Sequence, residues 1–324
     1  MFEGIKLAII GGGKWGINHV KTAHKLLGDN LSVVCDLNKN VEEKVKNISP
    51  DIKFFNNFES IFESTEINAV IIATPAETHY EISKLCLMNN KHILAEKPLT
   101  LLSSETTHLI EIAEKFNRKI MVGHVLLFHP AIVKLKSMID DGIIGNLQYI
   151  YSNRLNLGTI RKEENILWSF APHDVSIIQY IVGDKPVSVY AEGATFLQKN
   201  IEDTTLTFLK YKNNIHAHIF VSWLHPFKEQ RLVVIGDKGM IVFEDSLKEE
   251  KLKLYKKGFN IVGDSFEKFE SEYEVVPFEN KQALEEEQIH FFNSILNDTV
   301  PKTDGNHAKE VLEILEQAQT NLNL

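Results

Sequence analysis

Lys6-Leu7-Ala8-Ile9-Ile10-Gly11-Gly12-Gly13-Lys14-Trp15-Gly16 decides how the rest of the chain is read. A short apolar run ending in glycines reads as a buried parallel strand. Gly11 to Gly16 fits G-x-G-x-x-G. Gly11 permits the tight turn, Gly13 lets backbone approach a pyrophosphate, and Gly16 lets helix and strand pack closely. Lys14 and Trp15 complete the turn, and a helix follows from about Trp15 to Leu27, its first N–H groups facing the negative charge. The bland alternative is a glycine turn that binds nothing. The strand before the motif and the helix after it weigh against that.

Reading outward, Leu31 to Cys35 is a second strand, closed by Asp36, 20 residues after Gly16. A carboxylate there accepts from both adenine-ribose hydroxyls and repels a 2′-phosphate, so NAD is expected rather than NADP. Strands at Ala69–Ala73, His92–Ala95 and Ile120–Val122 alternate with helices at Glu77–Met88 and Ser104–Phe116. This alternation predicts a doubly wound parallel (Rossmann) sheet over residues 1–123.

The pattern then changes. Pro130–Asp140 and His173–Ile181 read as helices. Period-two alternation marks strands through Leu147, Tyr149 and Tyr151 and through Ile215, Ala217, Ile219 and Val221. Gly236-Asp237-Lys238-Gly239 reads as a hairpin turn between Leu232–Ile235 and Met240–Phe243. Residues 124–324 are therefore expected to form an α+β domain with an open, mostly antiparallel sheet. The late helices are Gln282–Leu296 and Ala308–Leu322, the last of them expected to pack back on the first domain.

Bulk properties narrow the partners. A net charge of −9 argues against nucleic acid. No apolar run reaches the ~18 residues of a membrane span. The first residues lack a basic stretch followed by an apolar one, and Cys35 and Cys86 show no metal spacing. A cytoplasmic protein without a metal is expected, assembling as a dimer or tetramer because exposed sheets tend to associate.

Ligands of open parallel sheets sit at the carboxyl ends of strands. Two such ends carry chemistry: Thr74-Pro75 and Glu96-Lys97-Pro98. There Lys97 can reach a substrate hydroxyl while Glu96 faces the cofactor ribose; the alternative is a surface ion pair before a proline. Gly11 to Gly16, Ala73-Thr74-Pro75 with His79, and Ala95-Glu96-Lys97-Pro98 together resemble the Gfo/Idh/MocA oxidoreductases, across essentially the whole chain. The resemblance implies that Thr74, Pro75, His79, Glu96 and Lys97 line the nicotinamide half of NAD. It also implies that Lys97 hydrogen-bonds the reacting hydroxyl and that His173, in Ala171-Pro172-His173-Asp174, is the general acid/base. Two departures stand out. Ser169 replaces the Asp that many relatives carry four residues before that histidine, so either catalysis rests on Lys97 and His173 alone or Asp174 orients the ring. Val125-Leu126-Leu127 replaces a polar stretch.

Asn153-Arg154-Leu155-Asn156-Leu157-Gly158-Thr159-Ile160-Arg161 leaves a strand shortly before Trp168 and His173. It resembles relatives that oxidise the 3-hydroxyl of a UDP-N-acetylhexosamine in cell-surface polysaccharide or lipid A sugar synthesis. Arg154 or Arg161 would then pair with the pyrophosphate, with Asn156 and Trp168 on the sugar. Trp223, Lys228 and Arg231 form a second set, expected to face the open sheet. Arginines joined in surface ion pairs are the alternative. The other functional readings are an inositol or free-sugar dehydrogenase, a dehydrogenase that recycles a tightly held cofactor, and an NAD-binding sensor without turnover.

Overall fold

A computed structural model describes residues 2–322. The chain divides into two compact units, one running up to Phe128 and resuming over Gln282–Leu312, the other comprising His129–Lys281 and the end of the last helix.

In the first unit the elements run β1 (Leu7–Ile10), α1 (Gly16–Leu27), β2 (Leu31–Cys35), α2 (Val41–Lys46), β3 (Lys53–Phe55) and α3 (Glu59–Glu63). They continue with β4 (Ala69–Ile72), α4 (His79–Met88), β5 (His92–Glu96), α5 (Ser103–Phe116) and β6 (Ile120–Gly123). The six strands form a wholly parallel sheet in the order β3-β2-β1-β4-β5-β6. Every residue of β1 and β4 is buried, as strands covered on both faces require. Each buried Ile, Val or Leu contributes about 1.5–3 kcal/mol, so these strand ends are held by a core and not by the loops they carry. The strand order reverses direction between β1 and β4, which is where such sheets bind ligands.

The second unit begins with α6 (Pro130–Asp140), β7 (Leu147–Leu157) and α7 (Ile166–Val182). It adds β8 (Ser188–Ala194), β9 (Thr204–Lys210), β10 (His216–Ser222), β11 (Leu224–Gly236), β12 (Met240–Glu244), β13 (Leu252–Tyr255), the β14–β15 hairpin (Lys257–Val262 and Ser265–Glu270) and β16 (Glu274–Val275). Its eight-stranded sheet has the order β16-β13-β12-β11-β7-β10-β9-β8. All its pairings are antiparallel except β7 with β10. Alternation sorts the faces: Ile150, Ala217, Ile219 and Val221 are buried on the side that α7 covers, while Tyr190 and Phe208 are exposed on the other. The turn at Gly236–Gly239 closes the β11–β12 hairpin as its sequence predicts.

Two helices begin earlier than their sequences suggest. α7 starts at Ile166, where Asn165 Oδ1 accepts the Trp168 N–H at 3.3 Å, and it carries Pro172 inside. A proline ordinarily marks a boundary; here twelve buried residues hold the helix through it. After α8 (Ala283–Leu296), the last helix, α9 (Gly305–Leu322), starts three residues before Ala308, with Asp304 Oδ1 accepting the His307 N–H at 2.9 Å.

Candidate functional site

The loop after β1 is set by what its glycines lack. Gly11 has φ +98°, and a Cβ there would lie 2.5 Å from the Ala73 carbonyl oxygen. A Cβ on Gly16 would lie 2.1 Å from the Gly11 carbonyl oxygen, so α1 approaches the loop as closely as backbone allows. A Cβ on Gly13 would meet nothing within 4 Å, which leaves open space beside the start of α1. Gly12 N–H donates to Asp36 Oδ2 at 2.7 Å, and Asn38 N–H donates to Oδ1 at 2.8 Å. Each carboxylate oxygen keeps a lone pair for a ribose hydroxyl. Open space at a helix start, flanked by a carboxylate at the end of β2, fits the pyrophosphate and adenine ribose of NAD.

The neighbouring strand ends are tied to one another. His79, buried on the first turn of α4, has Nε2 2.8 Å from the Thr74 carbonyl and Nδ1 2.8 Å from the Pro98 carbonyl. The ring therefore lies between the backbones of the segments after β4 and β5. Thr78 Oγ1 lies 2.7 Å from both Thr74 Oγ1 and the Pro75 carbonyl, which fixes the Thr74-Pro75 turn. Glu96 Oε1 accepts from Trp15 Nε1–H and lies 2.8 Å from His19 Nε2, and Oε2 accepts the Lys97 N–H at 3.3 Å. A Cβ on Gly123 would crowd the Glu96 carboxyl at 3.1 Å, so that glycine makes room for it. Lys97 is half-buried, next to Pro98 across a cis peptide bond. Its charge also reaches His124, which is fully buried and is held well below the usual histidine range, first by burial and then by His307 and Lys97. Burial pushes His307 down to about 4 against the pull of Asp304. Two neutral imidazoles, with ring centroids 5.3 Å apart, thus stand together, His124 within reach of the Lys97 charge.

In the second unit His173 lies in the second turn of α7, half-buried, with Ser169 one turn before it. Of the two readings the sequence leaves open, Asp174 as the orienting group is disfavoured. The carboxylate is committed to Arg154, with Nε to Oδ2 at 2.7 Å and Nη2 to Oδ1 at 3.1 Å, and to Ser152 Oγ at 2.6 Å. Arg154 is likewise committed: its guanidinium joins β7 to α7 rather than standing ready for an anion. Arg161 is exposed, paired at 3.2 Å with Glu164. Trp168 donates its indole N–H to Gln319 at 3.0 Å, and Asn156 is half-buried near the end of β7. The second set disperses. Trp223 is fully buried and donates to Asp203 Oδ1 at 2.6 Å, so it belongs to the core and not to the open face. Arg231 is paired with Glu244 at 2.9 Å and Glu229 at 3.5 Å.

Several residues of the site carry no sequence signal of their own. His19 follows Gly16 by three positions and looks like any helix histidine. Glu287 and Gln288 lie four positions before Phe291 and Phe292, which puts them on the buried side of α8; that spacing is the only available clue. Among the described residues no group of His, Cys, Asp and Glu is arranged to hold a metal, and no helix is long and apolar enough to cross a membrane.

Comparison with known proteins agrees with this layout. Residues 5–124 match the model of an oxidoreductase family with an NAD-binding Rossmann fold, and residues 132–242 match the GFO/IDH/MocA C-terminal domain. The scyllo-inositol 2-dehydrogenase (NAD(+)) of Bacillus subtilis is 28% identical over 283 residues, covering 83% of both chains. The inositol 2-dehydrogenase of Salmonella typhimurium is 22% identical over 280 residues, covering 84% of this chain and 83% of its own. Among solved structures, UDP-N-acetylglucosamine 3-dehydrogenase from Acidithiobacillus ferrooxidans superposes with a TM-score of 0.83 at 22% identity, over 98% of this chain and 96% of that one. At that identity the likeness shows the fold alone.

Proposed function

Since the chain belongs to the Gfo/Idh/MocA oxidoreductase family, with an NAD-binding Rossmann domain at its N-terminus, we propose that it is a dehydrogenase acting on a ring hydroxyl of a sugar or cyclic polyol. The observation that carries this reading is the placement of Lys97. The amine follows β5, in the same parallel sheet as β1 and β4, whose carboxyl ends carry Gly11–Gly16 and Thr74-Pro75. NAD, held by the glycine loop and Asp36, supplies the hydride acceptor. Lys97 then hydrogen-bonds the reacting oxygen and stabilises its negative charge as the proton leaves. His173 exchanges that proton, an imidazole being suited to the work near neutral pH. With Asp174 taken by Arg154, the ring acts without a carboxylate from its own helix.

Two substrate classes remain in play, and the arginines divide them. A nucleotide-activated amino sugar such as UDP-N-acetylglucosamine, oxidised at its 3-hydroxyl, needs a cation for its pyrophosphate; Arg161 supports that reading. The commitment of Arg154 to Asp174 favours an inositol or free sugar, as do the inositol dehydrogenases among the relatives. The uncovered sheet face with Tyr190 and Phe208 supports assembly of copies into a dimer or tetramer.

NADH absorbance with UDP-N-acetylglucosamine, myo-inositol and scyllo-inositol decides between the classes. Tight NAD binding with no turnover on any of them would leave the sensor reading instead. The Lys97→Ala variant should lose about 10²–10³-fold in kcat while NAD affinity, by titration calorimetry, stays near that of the parent. Unchanged turnover sinks the assignment.

A further inference from the structure

The hydrogen bonds behind Glu96 reach as far as α8. His19 is fully buried, and its Nε2 meets Glu96 Oε1 at 2.8 Å. On the other side of the ring, Nδ1 faces Gln288 Nε2 at 3.1 Å, and the same amide nitrogen lies 3.2 Å from the His19 carbonyl oxygen. A carbonyl oxygen only accepts, so it fixes which way the Gln288 amide points. The amide then donates to Nδ1, which is left as the acceptor. The ring proton consequently sits on Nε2, where it donates to Glu96.

We propose that Gln288 is a positioning residue: it sets the His19 tautomer, which holds the Glu96 carboxylate in the orientation that receives the Lys97 backbone N–H. The kinetic half of this rests on the role given above to Lys97. Three donors converge on the Glu96 carboxyl group, from Trp15, His19 and the Lys97 backbone. The neighbouring Glu287 does not compete for them. It is fully buried, and both its oxygens lack a hydrogen-bond partner. Burial, and after it the charge of Glu96, holds it well above the ordinary carboxylate range. Of the two carboxyls only Glu96 draws the His19 and Trp15 N–H groups.

The test reads the tautomer directly. Histidine ring nitrogens labelled with 15N, observed through their two-bond couplings to ring protons, should show His19 with Nδ1 bare and Nε2 protonated. The His19→Gln variant assigns the signal. In Gln288→Met, which keeps the length of the side chain, the signal should move toward the other tautomer or a mixture. In the same variant kcat should fall about tenfold, the size of one hydrogen bond to a charged group, with a smaller change in KM for NAD. A wild-type His19 protonated on Nδ1 overturns the proposal without any substitution. So does a Gln288→Met tautomer that stays unchanged, or one that changes while kcat does not. Full turnover by Lys97→Ala would instead remove the functional reading and the kinetic half with it, and the spectra would still decide the tautomer.

Discussion

The loop Gly11–Gly16 and the segment Asn153–Arg161 both end a strand and both read as binding motifs, yet they work through opposite means. In the first, the useful property is the lack of side chains. Backbone packs against backbone at distances no Cβ tolerates: Gly16 against Gly11 within the loop, and Gly11 against Ala73 after the neighbouring strand β4. In the second, the useful property is charge on long side chains, and each charge is met by a carboxylate: Asp174, on α7, for Arg154 and Glu164, three positions along the chain, for Arg161. A motif made of absences is defined by how closely backbone approaches backbone. A motif made of arginines is defined by which carboxylates stand near it, and for Arg154 that is set by the packing of α7 on β7.

The sharpest way to break the comparison lies in the loop itself. Gly16→Ala places a methyl 2.1 Å from a backbone oxygen that cannot retreat without moving the turn. A loss of roughly a hundredfold or more in NAD affinity is expected, together with a lower melting temperature, as overpacking costs about 1–3 kcal/mol or more. Gly13→Ala should behave differently. Its methyl meets nothing within 4 Å of protein, so the melting temperature should hold while NAD affinity still falls. Equal NAD affinity in Gly13→Ala and the parent would mean that the open space beside α1 is not where the pyrophosphate lies.

The next effect belongs to the arginine that proved structural. Arg154 and Asp174 are mostly buried, with 12% and 3% of their side chains exposed. Removing one partner leaves the other charge dry and unpaired. Asp174→Ala should therefore cost about 3–5 kcal/mol in a urea melt. Arg154→Met combined with Asp174→Leu should recover most of that, since replacing both charges by apolar groups is often neutral. A single Asp174→Ala variant as stable as the parent would return Arg154 to the pool of anion-binding candidates.

The same contrast explains what could be read from the sequence. The parallel sheet was legible because β1, β4 and β5 are near-continuous apolar runs bounded by glycine or proline. The hairpin at Gly236–Gly239 was legible because its turn chemistry is local. Asp36 was legible from its distance to the glycines. What escaped was long-range: that Trp223 would be swallowed by the core with its indole N–H on Asp203, that Asp174 would serve Arg154, and that Gln288, 269 positions away, would meet His19. Each depends on which elements pack together, and nothing in the spacing along the chain encodes that. Pro172 misled for a related reason. Its local rule says boundary, but the buried residues of α7 override it.

The smallest expected effect is the one that sharpens the substrate question. Arg161 has a side chain 55% exposed, and its pair with Glu164 at 3.2 Å is a surface contact. Such pairs contribute about 0–1 kcal/mol, so Arg161→Ala should leave the urea midpoint nearly unmoved. If the substrate carries a pyrophosphate, that same cation is available to it, because a weak surface partner is easily exchanged for a doubly charged one. Arg161→Ala should then raise KM for a UDP-sugar about tenfold and leave kcat alone, since the contact is made equally in ground and transition states. With a free sugar or inositol as substrate neither constant should change. A variant that loses stability, or that alters kcat with KM unchanged, would show that Arg161 is held by the fold after all, and the division between the two motifs would have to be drawn elsewhere.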